Sequence, residues 1–225
     1  MKSAILVFAK RPVPGAVKTR LTALLTEEEA AGLYEAFLRD ALKQYTALDA
    51  DVRLYLGPPA DLHSFDLAPA GVVVREQQGA GLGERMKRAF VESFAAGYER
   101  LVVIGTDHPS LPTGFIEQAF AALSEPGSIC IGPCDDGGFY LMGMNDFYPQ
   151  LFTDMEYSHE QVFTQTLLRV GTTNATLTIL PAWYDVDTPD TLKRLVADLK
   201  NPALDASNTQ PVVARLVSRY PSLKT

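Results

Sequence analysis

Hydrophobic and polar positions along the chain follow two alternating rhythms. Short, largely apolar runs at residues 4–9, 52–56 (interrupted by Arg53), 72–74, 101–104 and 128–132 predict strands. The run 101–104 (Leu, Val, Val, Ile) is β-branched throughout its second half, as in the covered strands of parallel sheets. Between these runs the spacing lengthens to that of helices. Ala30, Leu33, Tyr34, Phe37, Leu38, Ala41, Leu42 and Tyr45 form one apolar stripe. Leu82, Met86, Ala89, Phe90, Ser93 and Phe94 form a second, and Ile116, Ala119, Phe120 and Leu123 a third.

The boundaries carry their own signals. Thr26 followed by Glu29 is a capping box opening the first long helix, and Ser158 with Gln161 reads as another, opening a helix to about residue 170. Thr188-Pro189 places a capping residue and then proline at the first helical position, predicting a helix to residue 199. Residues 139–142 are strand-like, and Asp136-Gly137-Gly138 before them is a turn, so 128–132 and 139–142 are expected to pair as a hairpin. Residues 176–180 alternate as a strand, and 212–217 suggest a last short helix. Strands alternating with amphipathic helices predict an α/β fold: a mixed, mostly parallel sheet with helices on both faces.

Composition narrows the functional classes. With 225 residues, 47% of them hydrophobic, the chain suits one α/β domain. A net charge of −7 argues against non-specific nucleic-acid binding, which needs broad positive fields. Cys130 and Cys134 are too few for a disulfide scaffold and lack companion ligands for structural zinc, so they are expected as buried free thiols. The apolar run at 4–9 is too short for a signal sequence or a membrane span, which points to a cytoplasmic protein.

Four segments could carry chemistry. The first runs from Lys10 to Arg20, with four cations and no acid, directly after the first strand. Lys10, Lys18 and Arg20 could neutralise phosphates, and Gly15 would let the backbone approach them. The Gly15-x-x-Lys18-Thr19 piece lacks the first glycine of a P-loop, which excludes a P-loop NTPase. The second segment, residues 77–86, contains Gly79, Gly81 and Gly83 before a helix. It serves either as a tight turn or as a nucleotide contact, with Arg85 the side chain to test.

In the third segment, Gly105-Thr106-Asp107, a strand ends at a carboxylate, where open α/β sheets bind ligands. Asp107 could hold a divalent metal or form an Asx-turn before Pro109. The fourth contains Asp185 and Asp187, whose period of two puts them on one side of an extended segment. Capping of the following helix is the other reading. Asp135 and Asp136 on the hairpin turn add two further acids.

Taken in order, these segments read Phe8-Ala9-Lys10-x-Pro12-x-Pro14-Gly15-x-Val17-Lys18-Thr19-Arg20-Leu21, Gly105-Thr106-Asp107-x-Pro109-x-Leu111, Gly132-Pro133-x-Asp135-Asp136-Gly137-Gly138-Phe139-Tyr140-Leu141-x-Gly143 and Asp185-Val186-Asp187-Thr188-Pro189-x-x-Leu192. The set resembles a bacterial group of small GT-A-type glycosyltransferases, the radical-SAM/selenodomain-associated transferases, formerly domain of unknown function 2064. The group lies within the nucleotide-diphospho-sugar transferase superfamily.

The resemblance covers roughly residues 4–199, which implies one GT-A-like domain over 1–200 and a C-terminal tail, 201–225, with a short helix. It implies a Rossmann-like GT-A sheet and a Mg²⁺ or Mn²⁺ ion held by Asp107, with Asp187 matching the second metal aspartate of nucleotidylyltransferase relatives. Gly15 and Lys18 match the phosphate loop of those relatives. Their longer glycine-rich run is missing here, and so is the Asp-x-Asp of many glycosyltransferases.

The function implied is metal-dependent glycosyl transfer from a nucleotide-diphospho-sugar to an unknown acceptor. Asp136 would act as a base or position the acceptor, with Asp185 in reserve for either role. Two alternatives share the site: a nucleotidylyltransferase joining a nucleoside triphosphate to a phosphorylated acceptor, and a non-catalytic nucleotide-binding module.

Overall fold

A computed structural model describes residues 1–59, 62, 65–157 and 159–224. Among these residues, seven strands form one sheet: β1 (Ser3–Ala9), β2 (Asp51–Leu56), β3 (Val73–Glu76), β4 (Arg100–Ile104), β5 (Ser128–Pro133), β6 (Phe139–Met144) and β7 (Thr176–Ile179), in the order β3-β2-β1-β4-β6-β5-β7. β6 runs antiparallel to both β4 and β5, and the other pairings are parallel. The hairpin read from the Asp-Gly turn is therefore present, and β6 is slotted between β5 and β4. β3 is shorter in its apolar content than a covered strand requires. It lies at one edge, half-exposed, as does β7 at the other.

Among the described residues, six α-helices accompany the strands: α1 (Glu27–Thr46), α2 (Leu82–Ala95), α3 (Thr113–Ala122), α4 (Val162–Val170), α5 (Pro189–Asp198) and α6 (Thr209–Arg219). Period-two alternation in β1 divides the core. Ile5, Val7 and Ala9 pack beneath Leu38, Ala41 and Leu42 of α1 and Ile116 and Ala119 of α3. Ala4 and Leu6 face Met86, Ala89 and Phe90 of α2, with Val170 of α4 on the same side. A third cluster lies on the outer side of α1, where Leu33, Tyr34 and Phe37 meet Leu192 and Leu195 of α5 and Val213 and Leu216 of α6. The apolar stripe of α1 is thus broad, because this helix is covered on two sides.

Most boundaries follow the local signals. Thr26 and Glu29 make the reciprocal capping box of α1, and Thr188 caps α5 with Pro189 behind it. Three differ. The basic loop after β1 contains a 3-10 turn at Thr19–Ala23. The proposed cap at Ser158 lies outside the described residues, and α4 begins at Val162 without a side-chain cap from Gln161. The last helix is longer than the run 212–217, because its N-terminus is capped from another helix. Asp40 of α1, fully buried, accepts bonds from the backbone N–H of Asn208 (2.9 Å) and Thr209 (2.8 Å) and from the Asn208 side chain (2.7 Å).

Both cysteines are free and buried. Among the described residues, no helix is long and apolar enough to cross a membrane.

Candidate active site at the β1/β4 switch point

β1 and β4 are neighbours, yet the connection after β1 leads to β2 on one side and the connection after β4 leads to β5 on the other. This is the topological switch point, where the two loops separate and leave a crevice beyond the strand ends. Lys18 follows β1 and Asp107 follows β4, so each loop delivers one charged side chain there. Asp187 arrives by a different route. After β7 the chain crosses the carboxyl ends of β5 and β4 as an extended strap. The strap is tied down by Trp183 N–H to Pro133 O (3.0 Å), Asp135 N–H to Trp183 O (2.9 Å) and Val186 N–H to Asp107 O (2.8 Å). Along it Tyr184 and Val186 are buried in the α1–α5–α6 cluster, while Asp185 and Asp187 face the crevice with the period expected of extended chain.

The three charges meet. Lys18 Nζ lies 2.5 Å from Asp107 Oδ1 and 2.8 Å from Asp187 Oδ1. The Lys18 side chain is 3% exposed, whereas the two carboxylates are 40% and 37% exposed. The ammonium is therefore sealed beneath a pair of acids that still reach solvent. Tyr34 and Phe37 of α1 lie under it, with ring centroids 5.7 Å and 5.6 Å from Nζ. Burial pulls the Lys18 pKa down, but the charges of Asp107 and Asp187 and their hydrogen bonds outweigh it and hold it well above the ordinary lysine range. Lys18 also adopts a left-handed backbone, φ 50°, unusual for a residue with a β-carbon. Buried Val17 and Leu21 anchor the chain on either side.

A second cluster adjoins this triad. Asp185 Oδ1 contacts His108 Nδ1 at 2.9 Å and accepts the Cys134 thiol at 3.1 Å. Burial alone would push the Asp185 carboxyl up. The hydrogen bond and charge of His108, the Cys134 bond and the charge of Lys18 reverse this, bringing it down to about 2. The Cys134 thiol is pushed far up, by burial first and Asp185 next. Asp136 is exposed on the hairpin turn, where its Oδ1 accepts the Gly138 N–H at 2.9 Å. Gly137 is required there: its φ is +89°, and a Cβ would stand 2.0 Å from the Glu160 carbonyl oxygen. Arg194 of α5 fixes the turn by pairing with Asp135 at 2.6 Å while lying over the Tyr184 ring.

The remaining candidates are distributed around this centre. Lys10 and Arg20 have exposed side chains on the basic loop. Gly15 has φ +76°, but the close neighbour on its side-chain side is Glu27 Oε2, 3.0 Å from where a Cβ would stand. Gly79 has φ +140°, and a Cβ there would meet Arg85 N at 3.0 Å; its carbonyl accepts Arg85 Nε–H at 3.1 Å. The tight-turn reading thus accounts for this glycine without a ligand. Gly79 and Arg85 form a corner at the start of α2. Nearby, buried Gln77 donates to the carbonyls of Ala9 (3.3 Å) and Tyr55 (3.0 Å), tying the ends of β1, β2 and β3 together.

Four residues of the site are missed by sequence reasoning: Tyr34, His108, Cys134 and Arg194. Tyr34 reads as one member of an apolar stripe, yet its hydroxyl accepts Lys10 N–H (2.9 Å) and Thr106 Oγ1–H (3.2 Å), joining the loops after β1 and β4. A polar-tipped aromatic within the stripe is the available signal.

The donor chemistry can be tested against a divalent ion. Asp107 and Asp187 offer hard carboxylate oxygens converging on one cation position, open enough for phosphate or water to complete a shell, and they fit Mg²⁺ or Mn²⁺. Cys134, Asp136 and Asp185 also bring ligand atoms within 4.8 Å of one another, but the thiol is a soft donor unsuited to magnesium.

Residues 40–159, just over half of the chain, match the family described as "Uncharacterized protein conserved in bacteria (DUF2064)". The chain belongs to this family. Among solved structures, a "putative nucleotide-diphospho-sugar transferase" from Desulfovibrio desulfuricans G20 is 34% identical, with TM-score 0.89, over 98% of this chain and 99% of that one. This DUF2064 protein therefore has the α/β fold of that transferase. More distant structures share the fold. The homolog of Mycobacterium tuberculosis rv0371c from Mycobacterium sp. strain JC1 is 19% identical, with TM-score 0.53, over 89% of this chain and 98% of that one. A cytidylyltransferase from Leptospira borgpetersenii serovar Hardjo-bovis is 13% identical, with TM-score 0.56, over 99% and 96%. No curated protein matches this sequence.

Proposed function

We propose that this chain is a divalent-metal-dependent glycosyltransferase whose donor is a nucleoside diphosphate sugar. The observation that carries the reading is the convergence of Asp107 and Asp187 with Lys18 at the switch point, where one buried cation faces two half-exposed acids. In this reading Asp107 and Asp187 hold Mg²⁺ or Mn²⁺. Bound there, the ion would supply Lewis-acid stabilisation of negative charge on the nucleoside diphosphate leaving group. Lys18 binds a phosphate oxygen, and Lys10 and Arg20 add positive potential at the mouth, with Gly15 shaping the loop that carries them. The Gly79–Arg85 corner, at the carboxyl end of β3, flanks the nucleoside.

Asp136 is assigned to the acceptor side, because it is exposed on a turn braced by Arg194 and Gly137. It orients the acceptor hydroxyl and takes its proton. Asp185 suits this less well. With its pKa near 2 it holds protons weakly at neutral pH, and its oxygen is already engaged by His108 and Cys134. It is assigned a positioning role. The similarity to the Desulfovibrio transferase supports the donor class.

Nucleotidyl transfer is the second reading. One carboxylate at the end of β4, completed by an aspartate from a late segment, is the arrangement implied by the nucleotidylyltransferase resemblance. One experiment separates the two. The protein is incubated with Mn²⁺ and either a panel of nucleoside diphosphate sugars or nucleoside triphosphates with phosphorylated acceptors, and free nucleoside diphosphate and pyrophosphate are measured. Nucleoside diphosphate release, lost in Asp107→Asn, is expected. Pyrophosphate release would establish the second reading instead. Metal-dependent UDP or GDP binding that survives Asp107→Asn would overturn the site.

A further inference from the structure

In this fold Lys18 stands where the proposed ion would stand. Its ammonium contacts both proposed ligand carboxylates, at 2.5 Å and 2.8 Å, and neutralises one of their two charges. A dication joining the same carboxylates with the ammonium retained would set three positive charges against two negative ones, with the ammonium itself 3% exposed and poorly screened by water. Resting on the metal-dependent reading above, we propose that Lys18 is a built-in competitor of the metal: an internal counter-ion that must leave Asp107 and Asp187 before the ion binds, and whose new partner is the donor diphosphate.

The surroundings suit a side-chain exchange with a fixed backbone. Val17 and Leu21 are buried in the α1–α5–α6 cluster, so the loop itself is anchored. The left-handed turn at Lys18 aims its side chain inward over Tyr34 and Phe37. The carboxylates on the far side of the ammonium are the exposed partners, so an incoming ligand meets them first. A diphosphate arriving with the metal supplies oxygens that accept Lys18 while the ion takes the carboxylates. Metal and diphosphate would then each strengthen the binding of the other, as thermodynamic linkage requires. In the absence of nucleotide, the lysine holds metal affinity down.

The test reads metal binding rather than turnover. Mn²⁺ is titrated into nucleotide-free protein and the free ion is followed by electron paramagnetic resonance. Lys18→Met is expected to bind Mn²⁺ at least tenfold more tightly than the wild type, and Lys18→Arg, which keeps the charge, no more tightly. UDP is expected to raise Mn²⁺ affinity several-fold more in the wild type than in Lys18→Met. Equal or weaker Mn²⁺ binding by Lys18→Met, with Asp107→Asn abolishing it in the wild-type background, would overturn the exchange and leave the metal site standing. No Mn²⁺ binding by wild type or variant, with or without UDP, would overturn the metal-dependent reading and this inference with it. If Lys18→Met does not fold, lysine-selective ¹³C labelling of the wild type serves, with the Lys18 ε-carbon assigned through Lys18→Arg. A shift of that resonance on saturation with Mg²⁺ is expected, and an unmoved resonance under saturating metal overturns the proposal.

Discussion

Asp40→Ala removes the acceptor that joins the C-terminal helix to the body of the protein. Asp40 is fully buried in α1 and accepts three hydrogen bonds, two from the backbone N–H groups of Asn208 and Thr209 and one from the Asn208 amide. Hydrogen bonds to a charged group contribute roughly 1.5–3 kcal/mol each. The three do not add fully, because the first turn of α6 can fray and regain water once released. A loss of about 3–5 kcal/mol is therefore expected, a large share of a total stability of about 5–15 kcal/mol. Asp40→Asn keeps one acceptor oxygen but turns an NH₂ group toward the donors, so its loss should be intermediate. Urea unfolding followed by circular dichroism measures the global effect, and amide exchange over residues 209–219 measures the local one. In Asp40→Ala those amides should exchange far faster, while the strands of the sheet keep their relative order of protection. An Asp40→Ala protein within 0.5 kcal/mol of wild type, with α6 amides as protected as before, would refute this account of how the helix is held.

Three further outcomes follow from the site. Burial raises the Asp185 pKa, but the hydrogen bond and charge of His108, the Cys134 bond and Lys18 together lower it to about 2, below the unfolded value near 3.9. The unfolded chain thus binds more protons between these values. Asp185 contributes roughly 2–3 kcal/mol that is present above about pH 4 and lost as pH falls from 4 to 2; unfolding midpoints at pH 3 and pH 7 should diverge less in Asp185→Asn than in wild type. Gly137→Ala forces a β-carbon against the Glu160 carbonyl at a positive φ, and should lower thermal stability by about 2–4 kcal/mol and reduce turnover by loosening the Asp136 turn. An unchanged melting temperature would count against that strain. Gly132→Ala would place a β-carbon 2.2 Å from the Tyr140 ring, whose hydroxyl is held by the Pro181 carbonyl, and should cost about 3 kcal/mol in denaturant unfolding. Wild-type stability would show that the ring shifts freely.

Local sequence determined most of the elements. β1, β4 and β5 are legible because they are covered on both faces and so are apolar beyond a polar first residue. α1 is legible because its capping box and its stripe agree. The cations after β1 and the acids at 107 and 187 were also visible, because charge at a strand end is a local pattern. What the sequence could not decide is which charges touch. Lys18 could serve a phosphate, but the fold brings it onto Asp107 and Asp187, and only the strap from β7 across the ends of β5 and β4 brings Asp187 there. The same strap sends neighbouring Asp185 to His108 and Cys134, a different task for the same residue type two positions away. The start of α6 likewise depends on Asp40, far away in the chain. Periodicity records which face of an element is buried, whereas the partner of a buried charge is set by strand order and crossover paths, which no local pattern contains.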